Sequence, residues 1–177
     1  DTLFYKDYTL YNQAQKPVTR SAQVQALCKA QGVPVLLHAL PGRNDTVRLG
    51  LSALLAQHPE LTGCMFLPGD QPLLRRATVD QLLTAFAQTQ KETERVIFRL
   101  GAPAGNGPDP LVGSPVLFSN GFFPELLTLP EGKGGSVLLH KYPTLVHTAC
   151  IAQPEELADT DTPAALAQLE ALVREKG

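Results

Sequence analysis

Apolar residues along the chain fall into short runs separated by amphipathic stretches, and this alternation sets the expected order of elements. Val33 to His38, rich in aliphatic and β-branched residues, predicts a strand. Asp45 or Thr46 can cap the helix that follows, whose apolar face is Val47, Leu51, Leu54 and Leu55. Pro59 and Gly63 close that helix, and Cys64 to Leu67 predicts the next strand. Thr78 to Gln81 reads as a capping box opening a helix with Val79, Leu82, Leu83 and Phe86 on its buried face. Val96 to Phe98, Pro115 to Ser119 and Leu145 to Ile151 predict three further strands, with a Gly- and Pro-rich loop from Gly101 to Ser114 after the first of them. Phe122 to Leu127 and Ser136 to Tyr142 predict short helices. The last helix runs from Pro163 to about Glu175, capped by Thr162 with proline in its first turn.

The beginning of the chain is less regular. Leu3 to Tyr11 alternates weakly and predicts an extended piece leading into a helix at Leu10 to Gln15. Ser21 caps a helix carrying Val24, Leu27 and Cys28 on one face and stopped at Gly32. Between Tyr11 and Ser21 an α/β chain should supply a strand, yet only Pro17-Val18-Thr19 is available. Either this edge is degenerate or residues are missing. Strands alternating with helices call for an α/β fold with a mostly parallel, three-layer sheet, here as one domain over residues 1–177.

Composition narrows the function classes. The chain has 177 residues, is 44% hydrophobic and carries a net charge of -2 with acids and bases intermixed, so nothing forecasts a nucleic-acid groove or an anionic membrane surface. The apolar runs are too short to span a bilayer, and Asp1 to Tyr11 lacks the pattern of a secretory leader. Cys28, Cys64 and Cys150 are sparse, odd in number and set in apolar surroundings, which suits reduced buried thiols in a cytoplasmic protein. The four histidines lack zinc-ligand spacing and there is no Cys-x-x-Cys.

Candidate chemistry gathers at element ends. Asp70 lies in Gly69-Asp70-Gln71-Pro72, just past the carboxyl end of an apolar strand, where ligands of open α/β sheets bind. Asp159 and Asp161 immediately precede the final helix. Two aspartates from distant positions suit Mg²⁺, which takes one or two carboxylates plus substrate phosphates; alternatively Asp70 shapes a turn and Asp161 assists a helix cap. Gly42-Arg43-Asn44-Asp45-Thr46-Val47-Arg48 joins a Gly turn, two arginines and a helix start, reading equally as an anion site or as a connection with surface arginines. Glu131 to Ser136 lacks phosphate-loop spacing and reads as a turn, and Arg75-Arg76 reads as a solvated basic pair.

Taken in order, Gly69-Asp70-Gln71-Pro72, Ala77-Thr78, Ser114 to Ser119, Phe123-Pro124-Glu125-Leu126-Leu127, Lys133-Gly134-Gly135 and Asp159-Thr160-Asp161-Thr162-Pro163 resemble the nucleotidyltransferases related to molybdenum cofactor cytidylyltransferase and guanylyltransferase. The resemblance covers roughly Pro41 to the C-terminus. It implies a Rossmann-like three-layer fold that binds a nucleoside triphosphate and Mg²⁺. The activity implied is transfer of CMP from CTP to molybdopterin with release of pyrophosphate, for eventual use by a molybdenum hydroxylase or its accessory protein. Other acceptors (GTP chemistry, a sugar phosphate) and a non-catalytic cofactor-delivery role are the alternatives. The same resemblance makes Asp70 and Asp161 the metal-binding catalytic pair, with Asp159 a further metal position. It places Gly42, Arg43, Thr46 and Gln71 against the nucleotide. The family opens with a strand and the loop Leu-Ala-Ala-Gly-x-Ser-x-Arg-Met-Gly-x-x-Lys, which cradles the triphosphate. Here Leu3-Phe4-Tyr5 resembles the segment just behind that lysine and Thr2 takes the lysine's place, so the loop is expected to be missing from the chain.

Overall fold

Residues 16–103 and 110–176 are described in a computed structural model. The extended piece and helix expected before residue 16 lie outside these residues. The elements run β1 (Val18–Thr19), α1 (Ala22–Ala30), β2 (Leu36–Leu37), α2 (Arg43–Gln57), β3 (Gly63–Phe66), α3 (Arg76–Thr89), β4 (Ile97–Ala102), β5 (Leu111–Ser119), α4 (Phe123–Leu127), α5 (Ser136–Lys141), β6 (Val146–Cys150) and α6 (Pro163–Lys176).

The ambiguous edge is a pair of two-residue strands. β1 runs parallel to β2, with Val18 opposite Leu36 and Thr19 opposite Leu37, so Pro17-Val18-Thr19 does supply a strand and the six-residue strand expected over 33–38 shrinks to two. Ser21 caps α1 as its residue type dictates, its Oγ accepting the Val24 N–H at 3.3 Å. Only Cys28 of the expected apolar face is buried, and Leu27 is exposed.

β3, β5, β4 and β6 form a second sheet in that order. β3, β4 and β6 share one direction and β5 alone is reversed, so the mostly parallel expectation holds for strand direction while two of the three pairings are antiparallel. The loop expected over 101–114 is a correction. Gly101 and Ala102 belong to β4, and residues 111–114 open β5. Glycine misleads here because it serves packing rather than turning: a Cβ at Gly101 would collide with the Thr148 methyl on the neighbouring β6.

The period-two alternation of each strand divides the core between the two faces of this sheet. On one face Phe98, Leu100 and Leu117 pack with Val79, Leu82 and Phe86 of α3. On the other Cys64, Ile97 and Phe118 pack with Leu51 of α2, Phe122, Phe123, Leu126 and Leu138. The result is helix, sheet, helix: the expected three-layer, Rossmann-like arrangement. Burial pushes the Cys64 thiol up to about 12, which makes it inert packing. All three cysteines are free, but Cys150 is exposed rather than buried because it ends the edge strand β6.

At the β4 N-terminal end, the Arg95 guanidinium lies over the Phe122 and Tyr142 rings, 4.3 and 4.8 Å from their centroids. Its Nη2 donates to Glu125 Oε1 at 2.7 Å, and the Tyr142 hydroxyl donates to the same oxygen at 3.0 Å. Burial alone would raise the Glu125 carboxyl, but these two bonds and the Arg95 charge outweigh it and hold the carboxyl below its ordinary range. The Phe-Pro-Glu-Leu-Leu motif therefore ties α4 to the base of the sheet, the end opposite to Asp70.

Candidate active site

β3 delivers Asp70 at its carboxyl end, and a second connection folds back over it. After β6 the chain makes a 3-10 turn at Pro154–Leu157 and runs on to α6. The Thr160 N–H donates to the Asp70 carbonyl at 2.9 Å and the Thr160 hydroxyl donates to it at 3.2 Å. Gln71 Nε2 donates to the Leu157 carbonyl at 3.3 Å. These bonds hold the segment before α6 against the β3–α3 connection, and so bring Asp161 to Asp70.

The two carboxyls lie within hydrogen-bonding reach of each other. Asp70 is half-buried and its pKa is raised. Burial is the first cause, and the hydrogen bond and negative charge of Asp161 add to it against an opposing bond from the Asp70 backbone. Two acidic oxygen donors held together in this way fit a hard divalent cation, which would relieve the same repulsion. Asp159 is exposed, and among the described residues no group of three His, Cys, Asp or Glu side chains is arranged to hold a metal. Gln71 is 9% exposed, and its Oε1 is buried without a hydrogen-bond partner among the described residues. An orphaned acceptor one residue from Asp70 is the kind of unsatisfied group that functional sites retain.

Gly42, Arg43 and Thr46 sit together at the start of α2. The helix begins earlier than the sequence suggests: Gly42 is its N-cap, and Asp45 accepts the Gly42 N–H at 3.2 Å from within the first turn. A side chain at position 42 would displace Asn44 Oδ1 and crowd Asp45 Oδ2, the two groups that bond the 131–135 turn and the Gly42 N–H. Arg43 is exposed. Thr46 Oγ1 lies 3.1 Å from His38 Nε2, a neighbour the sequence does not reveal, and His38 Nδ1 is buried without a hydrogen-bond partner among the described residues. Asn44 Oδ1 accepts the Gly132 N–H at 2.9 Å, which docks the 131–135 turn onto the first turn of α2.

Thr78 is a correction. α3 begins at Arg76 with Arg75 as N-cap, and the Thr78 hydroxyl donates to buried Glu156 at 2.5 Å instead of capping. The Arg75 N–H donates to the same Glu156 oxygen at 3.1 Å. Pro154 at the head of Pro-Glu-Glu-Leu marks a short helical turn in the sequence, but nothing local distinguishes buried Glu156 from its neighbour Glu155. No helix among the described residues is long and apolar enough to cross a membrane.

Comparison with known proteins bears on the fold and the family. Two crystal structures of Rv0371c from Mycobacterium tuberculosis H37Rv, one a complex with manganese, are each 24% identical to the chain; they match 87% of it and 73% and 74% of their own lengths, with TM-scores of 0.68 and 0.65. A nucleotidyl transferase from Methanothermobacter thermautotroptrophicus (Mth528) is 14% identical, covers 92% of the chain and 74% of itself, and has a TM-score of 0.66. At such identities these structures speak for the fold. No curated protein sequence matches the chain. The model of the MobA-like NTP transferase domain matches residues 16–167, nearly the whole described chain and both candidate aspartates, and the protein is therefore a nucleotidyltransferase of the MobA-like NTP transferase domain family.

Proposed function

We propose that the chain transfers CMP from CTP to molybdopterin with release of pyrophosphate, using Mg²⁺ held by Asp70 and Asp161. The observation that carries this reading is the meeting of those two carboxyls, brought from distant positions by the Thr160 bonds to the Asp70 carbonyl. That Rv0371c, a structural neighbour, was crystallised with manganese supports the choice of a divalent metal. When bound, such a cation neutralises phosphate oxygens and stabilises charge developing at the α-phosphate.

The chain's own groups supply position. Asp70 and Asp161 hold the charge, and Asp159, exposed two residues before Asp161, is the further metal position that the family resemblance offers. Gln71, next to Asp70, is the nucleotide-facing position that the resemblance implies, and its Nε2 bond to the Leu157 carbonyl braces that side of the site. Gly42, Arg43 and Thr46 line the base and ribose, with the positive end of the α2 dipole and the Arg43 charge directed to anionic groups. Free thiols, one of them exposed, fit a cytoplasmic enzyme. A molybdenum hydroxylase or its accessory protein would receive the product.

Pyrophosphate release by the full-length protein, measured with CTP or GTP and with molybdopterin or a sugar phosphate, tests this directly. Release with CTP and molybdopterin that is lost in Asp70→Asn is the expected result. Release with another nucleotide or acceptor moves the activity within the family. Molybdopterin binding with no turnover on any nucleotide makes the chain a delivery protein.

A further inference from the structure

Glu156 is 4% exposed, and a carboxylate so deeply placed is stable only with good hydrogen-bond partners. It finds them on α3: its Oε2 accepts the Arg75 N–H at 3.1 Å and the Thr78 hydroxyl at 2.5 Å. Arg75 makes no capping bond with its own side chain, so Glu156 caps α3 from 81 positions away, with its negative charge at the positive end of the helix dipole. A cap drawn from a distant turn does something a local serine or aspartate could not, which is to tie two connections together.

The bonds between these connections form a ladder. Glu156 is joined to Arg75 and Thr78, Leu157 to Gln71, and Thr160 to Asp70. Asp161 is the residue immediately beyond the last rung. The Thr160 bonds fix one end of the segment and Glu156 fixes the other. Without the Glu156 rung the connection keeps the Thr160 and Gln71 bonds and the packing of Leu157 against the core, but it loses its tie to the start of α3, and the placement of Asp161 relative to Asp70 shifts.

We infer that Glu156, acting with Thr78, is a positioning residue that sets the placement of Asp161 against Asp70 and so tunes the affinity of that pair for a divalent cation. The inference rests on the reading of Asp70 and Asp161 as cation ligands. Glu156 itself touches neither substrate nor cation; it acts through the backbone that carries Asp161. Residues that orient metal ligands from outside the coordination sphere typically alter affinity by about 10–100-fold when replaced.

The test is titration of Mn²⁺ alone into the full-length protein, followed by electron paramagnetic resonance of the free ion. Wild type, Asp70→Asn, Thr78→Val, Thr78→Ser and Glu156→Gln are compared, each first shown by circular dichroism to be folded at the assay temperature. Thr78→Val and Glu156→Gln are expected to weaken Mn²⁺ about tenfold or more, while Thr78→Ser, which keeps the hydroxyl, binds as wild type. Should Glu156→Gln fail to fold, the Thr78→Val and Thr78→Ser contrast decides alone. If folded Thr78→Val binds Mn²⁺ as wild type while Asp70→Asn loses it, the positioning role is overturned and the carboxylate pair stands. If wild type and Asp70→Asn bind equally, the pair itself is not the cation site and the inference falls with it.

Discussion

Replacing Asp161 by Asn removes one of two like charges while leaving an amide that can still donate to the Asp70 carboxylate. In chelator this substitution should stabilise the protein, because burial and Asp161 together raise the Asp70 pKa. Two unit charges 4 Å apart repel by about 1 kcal/mol in water and about 4 kcal/mol at an effective dielectric near 20. Asp161 is exposed and Asp70 only half-buried, so the lower figure applies, discounted further for solvent screening to about 0.5–1 kcal/mol. For a domain of this size that corresponds to a rise in Tm of roughly 1–4 °C. With Mn²⁺ at ten times its Kd, wild type gains about 1.4 kcal/mol by mass action and Asp161→Asn gains little. The stability order should therefore cross: mutant above wild type in chelator, wild type above mutant in Mn²⁺. The sign with pH follows from linkage. In the chelated native state Asp70 holds its proton more tightly than in the unfolded chain, so its contribution to stability falls as pH rises from the ordinary carboxylate value through the raised one. Asp161→Asn should flatten that slope. Thermal unfolding by circular dichroism, with chelator and with Mn²⁺, reads all of this. A mutant less stable than wild type in chelator, or equal gains from Mn²⁺ in both proteins, would show that Asp161 neither repels Asp70 nor shares a cation with it.

Other expectations follow from the same geometry. Glu125→Ala should cost about 1–2 kcal/mol by removing two hydrogen bonds to a charged group, less a discount for partial exposure, as read by urea unfolding. Because the folded Glu125 pKa is lowered, this contribution is present above the unfolded carboxylate value and disappears as pH falls through the folded one, so mutant and wild type should converge in acid. Gly101→Ala should destabilise by about 1–3 kcal/mol through the collision with Thr148, and Thr148→Ser, which removes the offending methyl, should recover much of the loss. Arg43→Ala should raise the KM for nucleotide several-fold with kcat nearly unchanged, as removal of uniform binding requires, measured in a steady-state pyrophosphate assay.

The elements whose identity is fixed by local chemistry are readable in the sequence: Ser21 and Thr162 cap helices as their side chains demand, and the apolar runs ending at Phe66 and Ser119 are strands. What escapes the sequence is set by distant partners. Thr78 has the spacing of a capping box, but a short bond to Glu156 takes its hydroxyl and α3 begins two residues before it. Gly101 reads as loop because its packing reason lies on β6. β5 is reversed between β3 and β4, and no local periodicity reports strand direction. At the site, Asp70 and Asp161 can be picked out as acidic residues at element ends, whereas the bonds that join them run through Thr160 and Leu157, which no composition or spacing singles out.

Asp70 and Asp161 are proposed to act as one cation-binding pair in nucleotidyl transfer. Divalent-metal-dependent pyrophosphate release by full-length wild type, Asp70→Asn and Asp161→Asn, measured across a Mn²⁺ titration with saturating nucleotide and acceptor, addresses it most directly. Each substitution should lower kcat/KM by about 100-fold or more, equivalent to about 2.7 kcal/mol of transition-state stabilisation, without unfolding the protein. Folded variants that keep wild-type rates and the same Mn²⁺ dependence would contradict it.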